Sequence, residues 1–450
     1  MWLFHLSDEQ RRSTPAESLP HSRKAMCESD SLYRLLDGVS VPCTETRLMG
    51  VYEMGSSITM PFPARLRTPM QIDPVLLVIA VALLFGGMVI LASASISISD
   101  NTENDPFYYV GRQAIAVLLG GAAGFGCLFI PMRIWSKVGL LMLFIGLALL
   151  LLVLIPGVGH TVNGSTRWLR LGSLNLQVSE PVRLCLMIYL ADYMVRHNKS
   201  LRERFAGFLV PMAVLSIACG MLLAEPDFGA AIVLLTTALA MLFVAGARFR
   251  DFFIFFGVAV IGMVALAITS PYRLQRMTGF LDPWSDPYNS GFQLTQSLIA
   301  IGRGEWFGVG LGNGVQKLFY LPEAHTDFVF AVFAEEFGLF GSLVLIALFL
   351  VLLTRICMLG IRAANAGRFF EAYLAVGIGT WLGLQTFINI GVNMGMLPTK
   401  GLTLPLISYG RSSLIVAMVS VGLLLRIHHE LVTDSRPANA RKKHKRRRGQ

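Results

Sequence analysis

The sequence predicts an all-α polytopic membrane protein of about ten transmembrane helices, with both termini cytoplasmic and a large outward loop between helices 7 and 8. Three observations carry that expectation. Of 450 residues, 54% are hydrophobic and 15% charged, with a mean hydropathy of +0.60, whereas soluble domains carry about 25% charged residues. The apolar residues gather in runs, most of them long enough for the roughly 20 residues that a bilayer-crossing helix needs. Lysine and arginine concentrate in alternate connectors, the bias that marks cytoplasmic loops.

Residues 1–70 are polar and mixed in charge, with no apolar stretch near the start that would make a secretory signal. They are expected to form a disordered cytoplasmic extension. Met49, Met54, Met60 and Met70 crowd before the first span, which leaves an over-extended start as an alternative. The membrane domain is expected over 71–430, with spans near 74–98, 110–131, 134–156, 181–196, 205–224, 228–247, 251–270, 327–354, 371–397 and 408–426. The fourth is short. The ninth carries Gln385, Asn389 and Asn393 and is expected to face the bundle interior.

One set of connectors holds Arg133 and Lys137, then Arg196, Lys199, Arg202 and Arg204, then Arg248 and Arg250, then Arg355, Arg362 and Arg368. "DNTENDPFYY" on the other side has none. The loops near 99–109, 157–180, 225–227, 271–326 and 398–407 therefore face outward. Residues 431–450 form a basic tail containing "RKKHKRRRG" at 441–449. Such a run suits nucleic acid or anionic lipid, but a solvated tail that helps to set topology is the simpler reading, and no nucleic-acid partner is expected. Cys27 and Cys43 lie in the polar extension, and Cys127, Cys185, Cys219 and Cys357 in apolar stretches, with no metal or disulfide spacing.

The loop 271–326 is too long for an idle connector. Its "GFQLTQSLIAIGRGEWFGVGLGNGV" turns from amphipathic to glycine-rich, so part of it is expected along the membrane surface. "GVGLGNG" follows no strand and is no phosphate cradle; a flexible loop is expected. Asp227, after Pro226, is expected to cap a helix, with a substrate role as the alternative.

The outward side keeps the cations Arg167, Arg170, Arg183, Arg273, Arg276, Arg303, Lys317, Lys400 and Arg411, with the acids Glu180, Glu225, Asp227, Glu323 and Asp327. Each cation alone could snorkel at an interface. Together they suit an anionic, lipid-linked substrate such as a diphosphate, whose oxygens arginine binds well. Asp327 stands where a polar loop meets an apolar helix, as a helix cap, an ion-pair partner or a base able to take a proton from a sugar hydroxyl. Glu335 and Glu336 lie deeper and are expected to make structural hydrogen bonds.

The motifs "ILASAS" (90–95), "VNGSTRWLRLG" (162–172), "QVSEPVR" (177–183), "EPDFGAA" (225–231), "PYRLQRMTGFLDPWSDPYNSGFQLTQS" (271–297), "LPEAHTDFVFAVFAEEFG" (321–338) and "GMLPTKGLTLPLISYGRSS" (395–413) resemble the SEDS family (shape, elongation, division and sporulation) over residues 72–430. "GVGLGNGVQKLFYLPEAHTDF" is more similar to its division-type members than to its elongation-type members. One departure is Arg183, where the family usually has lysine.

The resemblance implies a peptidoglycan glycosyltransferase that polymerises lipid II at the division septum, in the bacterial inner membrane. It implies inversion at the donor sugar and release of undecaprenyl diphosphate. By resemblance Asp327 is the family's essential acidic residue, the catalytic base that deprotonates the acceptor GlcNAc 4-hydroxyl, with Arg167, Trp168, Glu180, Arg183, Arg273, Glu323, His325, Lys400 and Ser408 around the substrate. No cofactor is assigned; a divalent cation such as Mg²⁺ is left open, without a dedicated ligand cluster. The implied partners are a class B penicillin-binding protein, as septal transpeptidase, and other membrane proteins of the division machinery. Two rival readings remain: a lipid II flippase and a division scaffold. The outward concentration of polar residues and the absence of an internal repeat favour the transferase.

Overall fold

The computed structural model describes residues 70–162, 165–172, 174–268, 278–289 and 291–448. The expected N-terminal extension up to residue 69, and Arg273 and Arg276, lie outside the described residues.

Helix α1 spans Pro74–Glu103 and starts as its sequence dictates. The Asp73 side chain accepts from the amides of Val75 and Leu76 at 3.1 and 3.2 Å, and Pro74 supplies the first turn. There follow α2 (Tyr108–Cys127), the short α3 (Met132–Lys137) and α4 (Gly139–Leu154). After a small sheet come α5 (Ser179–Arg196), α6 (Asn198–Glu203), α7 (Phe205–Ala224), α8 (Phe228–Val244) and α9 (Phe249–Ile268). The last part holds α10 (Phe292–Arg303), α11 (Val329–Asn365), α12 (Phe369–Asn393) and α13 (Arg411–Arg448). Each expected span overlaps one of these helices.

Among the described residues six helices are long and apolar enough to cross a membrane: α1, α2, α7, α11, α12 and α13 over Arg411–Asp434. The apolar α4 and α8 are shorter. Phe85, Leu118 and Ile261 point outward from the bundle, as a lipid-facing surface requires. The chain is a multi-pass membrane protein.

The short fourth span, α5, has a different job. It packs against α4, α8, α12 and α13, and most of its side chains are buried. Enclosed by protein rather than lipid, it tolerates Glu180, Arg183 and Asp192.

The all-α expectation is corrected between α4 and α5. Gly159–Val162, Ser165–Leu171 and Leu174–Gln177 form a three-stranded antiparallel sheet, β1-β2-β3. Trp168 pairs with His160 and Gln177. The sequence carries the signal in "STRWLRL", rich in strand formers and preceded by Asn163-Gly164, a favoured hairpin dipeptide.

Helix α11 is broken at Gly338, whose φ of 67° and ψ of −165° leave the helical region. The glycine-rich segment that follows α10 fills the gap. Val309 and Gly310 amides donate to the carbonyls of Glu335 and Glu336 at 3.0 and 3.1 Å, while Leu339 and Phe340 amides donate to Glu305 and Trp306. The expectation of a flexible loop is thus corrected: the backbone groups freed by the break are satisfied by this segment. Glu335 and Glu336 make the structural bonds expected of them. Glu335 accepts from the Val315 and Gln316 amides, and Glu336 from Ser93 and Lys317 at 2.6 Å each.

Candidate active site

At one end of the bundle the β-sheet, the turn between α7 and α8, the stretch before α11 and the loop between α12 and α13 converge. Their contacts run residue to residue. Arg167 of β2 donates to the carbonyls of Pro226 and Glu225 at 2.6 and 3.4 Å and lies 3.8 Å from Asp227. Asp227 also caps α8, as expected, by accepting from the Ala230 amide at 3.1 Å. Near the start of α5, Arg183 bonds Glu180 at 3.1 Å and lies 5.3 Å from the centroid of the Trp381 ring. An aromatic face suits the planar guanidinium that stands here where the resembling sequences have lysine. Arg183 Nε and Nη2 are buried with no hydrogen-bond partner among the described residues.

Lys400 is half-buried, with its ammonium 4.4 Å from the centroid of Phe228, the residue after Asp227. No acid among the described residues pairs with it, and burial pulls its pKa down to about 8. A half-buried cation without an anion is costly, and an anion beside it relieves that cost. Glu225 is enclosed too. Burial and the neighbouring Asp227 push its carboxyl up to about 8, against the pull of Arg167.

Asp327 lies against Gly401, the residue after Lys400. A Cβ placed on Gly401 would sit 2.8 Å from Asp327 Oδ2, so the carboxylate packs directly on a residue that has no side chain. Helix α11 starts at Val329 and is capped by no side chain. Asp327 therefore stands two residues ahead of the helix, not at its first position, and the capping alternative is set aside. The Asp327 carbonyl accepts from Asn389 Nδ2 at 2.8 Å and from Asn393 Nδ2 at 3.0 Å. Asn389 Nδ2 also reaches the Leu402 carbonyl at 2.6 Å. Gln385 Nε2 holds the Thr403 carbonyl at 2.9 Å. All three amides are buried, as the interior face expected of the ninth span requires.

Behind Asp327, His325 contacts the rings of Tyr109 and Tyr409, with centroids 4.7 and 5.7 Å away. Its carbonyl accepts from the Tyr409 amide at 2.9 Å. Burial pushes the imidazole pKa down, against the Glu323 carboxylate. Glu323 accepts from the Thr326 hydroxyl at 2.6 Å and holds a left-handed φ of 57°. Leu406, in the facing loop, is likewise at 65°. Strained non-glycine residues of this kind gather at functional sites.

The structure thus brings Asp327, Lys400, Arg167, Glu180 and Arg183 to one end, with His325 and Glu323 flanking. Trp168 is half-buried in β2. Ser408 is enclosed, its hydroxyl accepting from the Leu404 amide at 2.8 Å within the loop's own turn. Lys317 and Arg303 belong elsewhere, paired with Glu336 and Glu335. Sequence reasoning missed Phe228, Trp381, Gly401 and the carbonyls that the three amides hold. The spacing of residues 385, 389 and 393 does place them on one helical stripe. Among the described residues no group of three or more His, Cys, Asp or Glu could hold a metal ion.

A model of cell cycle proteins named for FtsW, RodA and SpoVE matches residues 74–433. The chain belongs to the FtsW/RodA/SpoVE family. Within this family it is 56% identical over 368 residues to "Probable peptidoglycan glycosyltransferase FtsW" of Thioalkalivibrio sulfidiphilus, covering 82% of this chain and 92% of the relative. A protein of the same description from Coxiella burnetii is 50% identical over 358 residues, covering 80% and 96%. Among solved structures, the fold matches a chain from a peptidoglycan synthase complex that coordinates polymerization and crosslinking. That match has a TM-score of 0.66 and 30% identity, over 81% of this chain and 99% of the other. The rod shape determining protein RodA of Thermus thermophilus matches with a TM-score of 0.59 and 29% identity, over 80% and 98%.

Proposed function

We propose that this FtsW/RodA/SpoVE protein is a peptidoglycan glycosyltransferase that polymerises lipid II at the division septum. The observation that carries the reading is the Asp327 carboxylate set against Gly401, in the same loop as the half-buried Lys400, whose ammonium has no acid partner among the described residues. That arrangement sets a proton acceptor against the loop that carries a cation, which is what transfer from a sugar diphosphate needs. Asp327 takes the proton from the acceptor GlcNAc 4-hydroxyl. The oxygen forms its bond to the donor MurNAc anomeric carbon as the bond to diphosphate breaks, and the electron pair leaves with undecaprenyl diphosphate. Attack opposite the leaving group inverts the centre. Lys400 and the free edge of Arg183 stabilise the negative charge that builds on the diphosphate.

In this reading both termini are cytoplasmic, ten helices cross the inner membrane, and the site opens outward. The basic connectors support that orientation, since they fall at the end opposite Asp327. A class B penicillin-binding protein is the proposed partner, in keeping with the solved synthase complex of similar fold. Lipid transport draws on one observation, the broken helix α11, a feature that transporters use to bind cargo. Here the freed backbone groups of the break are bonded to the Glu305–Gly310 segment, not turned toward a path.

The test is glycan-strand formation from purified lipid II with the cognate transpeptidase present, wild type beside Asp327→Asn. Polymer from wild type alone supports the transferase and its base together. Polymer from both overturns the site, and polymer from neither, with folded protein, favours transport.

A further inference from the structure

The reaction proposed above needs the base and the anion site in register, yet they sit on different segments. Asp327 ends the connector before α11, and Lys400 belongs to the loop between α12 and α13. One side chain bonds both backbones. Asn389 Nδ2 donates to the carbonyls of Asp327 and Leu402 at 2.8 and 2.6 Å. Both partners are acceptors only, so the nitrogen end of the amide must face them. Asn393, one turn on, adds a bond from Nδ2 to the Asp327 carbonyl at 3.0 Å, while its Oδ1 accepts from the Ala331 amide at 3.1 Å. Neither asparagine reaches the loop surface: both are buried, Asn393 fully.

We infer that Asn389 is a positioning residue: its amide fixes the spacing between the Asp327 base and the Lys400 cation, with Asn393 setting the pitch of the Asp327 turn. This rests on the transferase reading and deepens it. The chemistry requires a side-chain donor with two N–H bonds on one atom, at the depth of a helix interior, where water cannot substitute. A carboxylate of the same shape supplies no donor and would face two carbonyl oxygens with negative charge. Once protonated it supplies a single O–H, enough for one of the two carbonyls. The titratable residues on the two segments that it bonds are Asp327 and Lys400; Gln385, Asn393, Thr403 and Ser297, which bonds the Asn393 carbonyl, do not titrate in the working range.

Asn389→Asp is the informative variant. Its saturating rate of polymerisation is expected to fall by about 100-fold, the scale of a misplacement near 1 Å, while KM for lipid II moves by less than about threefold. The ratio of variant to wild-type rate is expected to climb as pH drops from about 8 to about 5.5, because burial against two carbonyl oxygens raises the new carboxyl's pKa and it gains its proton over that range. Asn389→Ala, with no donor at any pH, shows the loss without the climb. A merely structural asparagine would give low yield and a lower thermal midpoint, with no acid recovery. Should Asn389→Asp not fold, Gly401→Ala asks the same question from the other side. Its methyl would press on Asp327 Oδ2, and it too is expected to lower the saturating rate with little change in KM.

Wild-type rates in a folded Asn389→Asp at neutral pH, or equal rate ratios at every pH, overturn the inference. So does a Gly401→Ala enzyme of wild-type rate. Asp327→Asn measured alongside separates the two readings. If that variant polymerises lipid II, the transferase site is wrong. If it is inactive while Asn389→Asp is fully active, only the positioning role falls.

Discussion

The two ends of the bundle handle buried charge in opposite ways. Where α1 begins, charges come in bonded sets. Asp73 receives Arg355 at 2.7 and 2.6 Å, with His428 at 3.6 Å. Arg368 gathers Glu371, Glu430 and Asp434, and Glu430 also takes Arg426 and the Met132 amide. These sets tie α1, α11, α12 and α13 together. Burial raises the Asp73 carboxyl, but the hydrogen bonds from Arg355 and Leu76 and the charges of Arg355 and His428 outweigh it and hold it below its usual range. Where α11 begins, the groups are as well enclosed but their partners are incomplete. Lys400 has an aromatic ring and no acid, Arg183 keeps two idle nitrogens, and neither carboxylate oxygen of Glu225 has a hydrogen-bond partner among the described residues. At the first end Arg355 Nε and Arg368 Nη1 also lack a hydrogen bond among the described residues, but each guanidinium keeps an acid partner. At the second, Lys400 has no acid among the described residues, and a stability cost of that kind is the mark of a site.

The sharpest break between them comes from two aspartates. Asp327→Asn is expected to lower polymerisation by at least about 100-fold, the range for a lost general base, with an unchanged thermal midpoint. Asp73→Asn is expected to do the reverse. It strands Arg355 and destabilises the fold by about 3 kcal/mol, while the folded fraction keeps its rate. Thermal denaturation and polymerisation assays on both purified variants decide it. An Asp327→Asn protein that is merely unstable would erase the contrast.

The next effect is smaller and belongs to Lys400. Lys400→Met is expected to raise KM for lipid II by about tenfold, or about 1.4 kcal/mol, and to raise the thermal midpoint, because it removes a half-buried cation that has no acid partner among the described residues. The pKa of Lys400 lies at about 8, so its charge is lost as pH climbs through that value. Wild-type KM should therefore rise above about pH 8, while Lys400→Arg, which stays charged, shows a flatter profile. A KM indifferent to all three changes would remove Lys400 from the anion site.

Much of this division was legible before any coordinates. The ten apolar runs locate the helices because lipid leaves a chain few alternatives to the helix. Asp327 is visible as a carboxylate at the edge of an apolar run, and the basic connectors separate the two ends. What stayed hidden depends on contacts between residues distant in sequence. Asn389 and Asn393 show as a polar stripe, but nothing in their spacing says that they hold a carbonyl more than 60 positions away. The glycine-rich segment looked flexible because glycine marks both loose loops and close backbone approach, and only the break at Gly338 shows which applies. The sheet was hidden by its length, since strands of four to seven residues leave little trace beside long spans.

The smallest effect tests whether every incomplete group at the Asp327 end serves the reaction. Glu225 is enclosed in the turn before α8, with burial first and Asp227 second raising its carboxyl to about 8. The folded chain therefore keeps a proton there that an unfolded chain releases at ordinary carboxylate pH. Between about pH 4.5 and about pH 8 the native state binds the extra proton, so this group's contribution to stability declines as pH rises through that window. Glu225→Gln carries no such proton. The thermal midpoints of wild type and variant should coincide near pH 5 and separate toward pH 9, with the variant the more stable, as about one proton of linkage requires. If polymerisation by Glu225→Gln at neutral pH matches wild type, the group belongs to the turn that presents Phe228 to Lys400. A rate loss at unchanged stability would instead make it a working part of the site, and the line between the two ends would then be drawn by function at every enclosed acid.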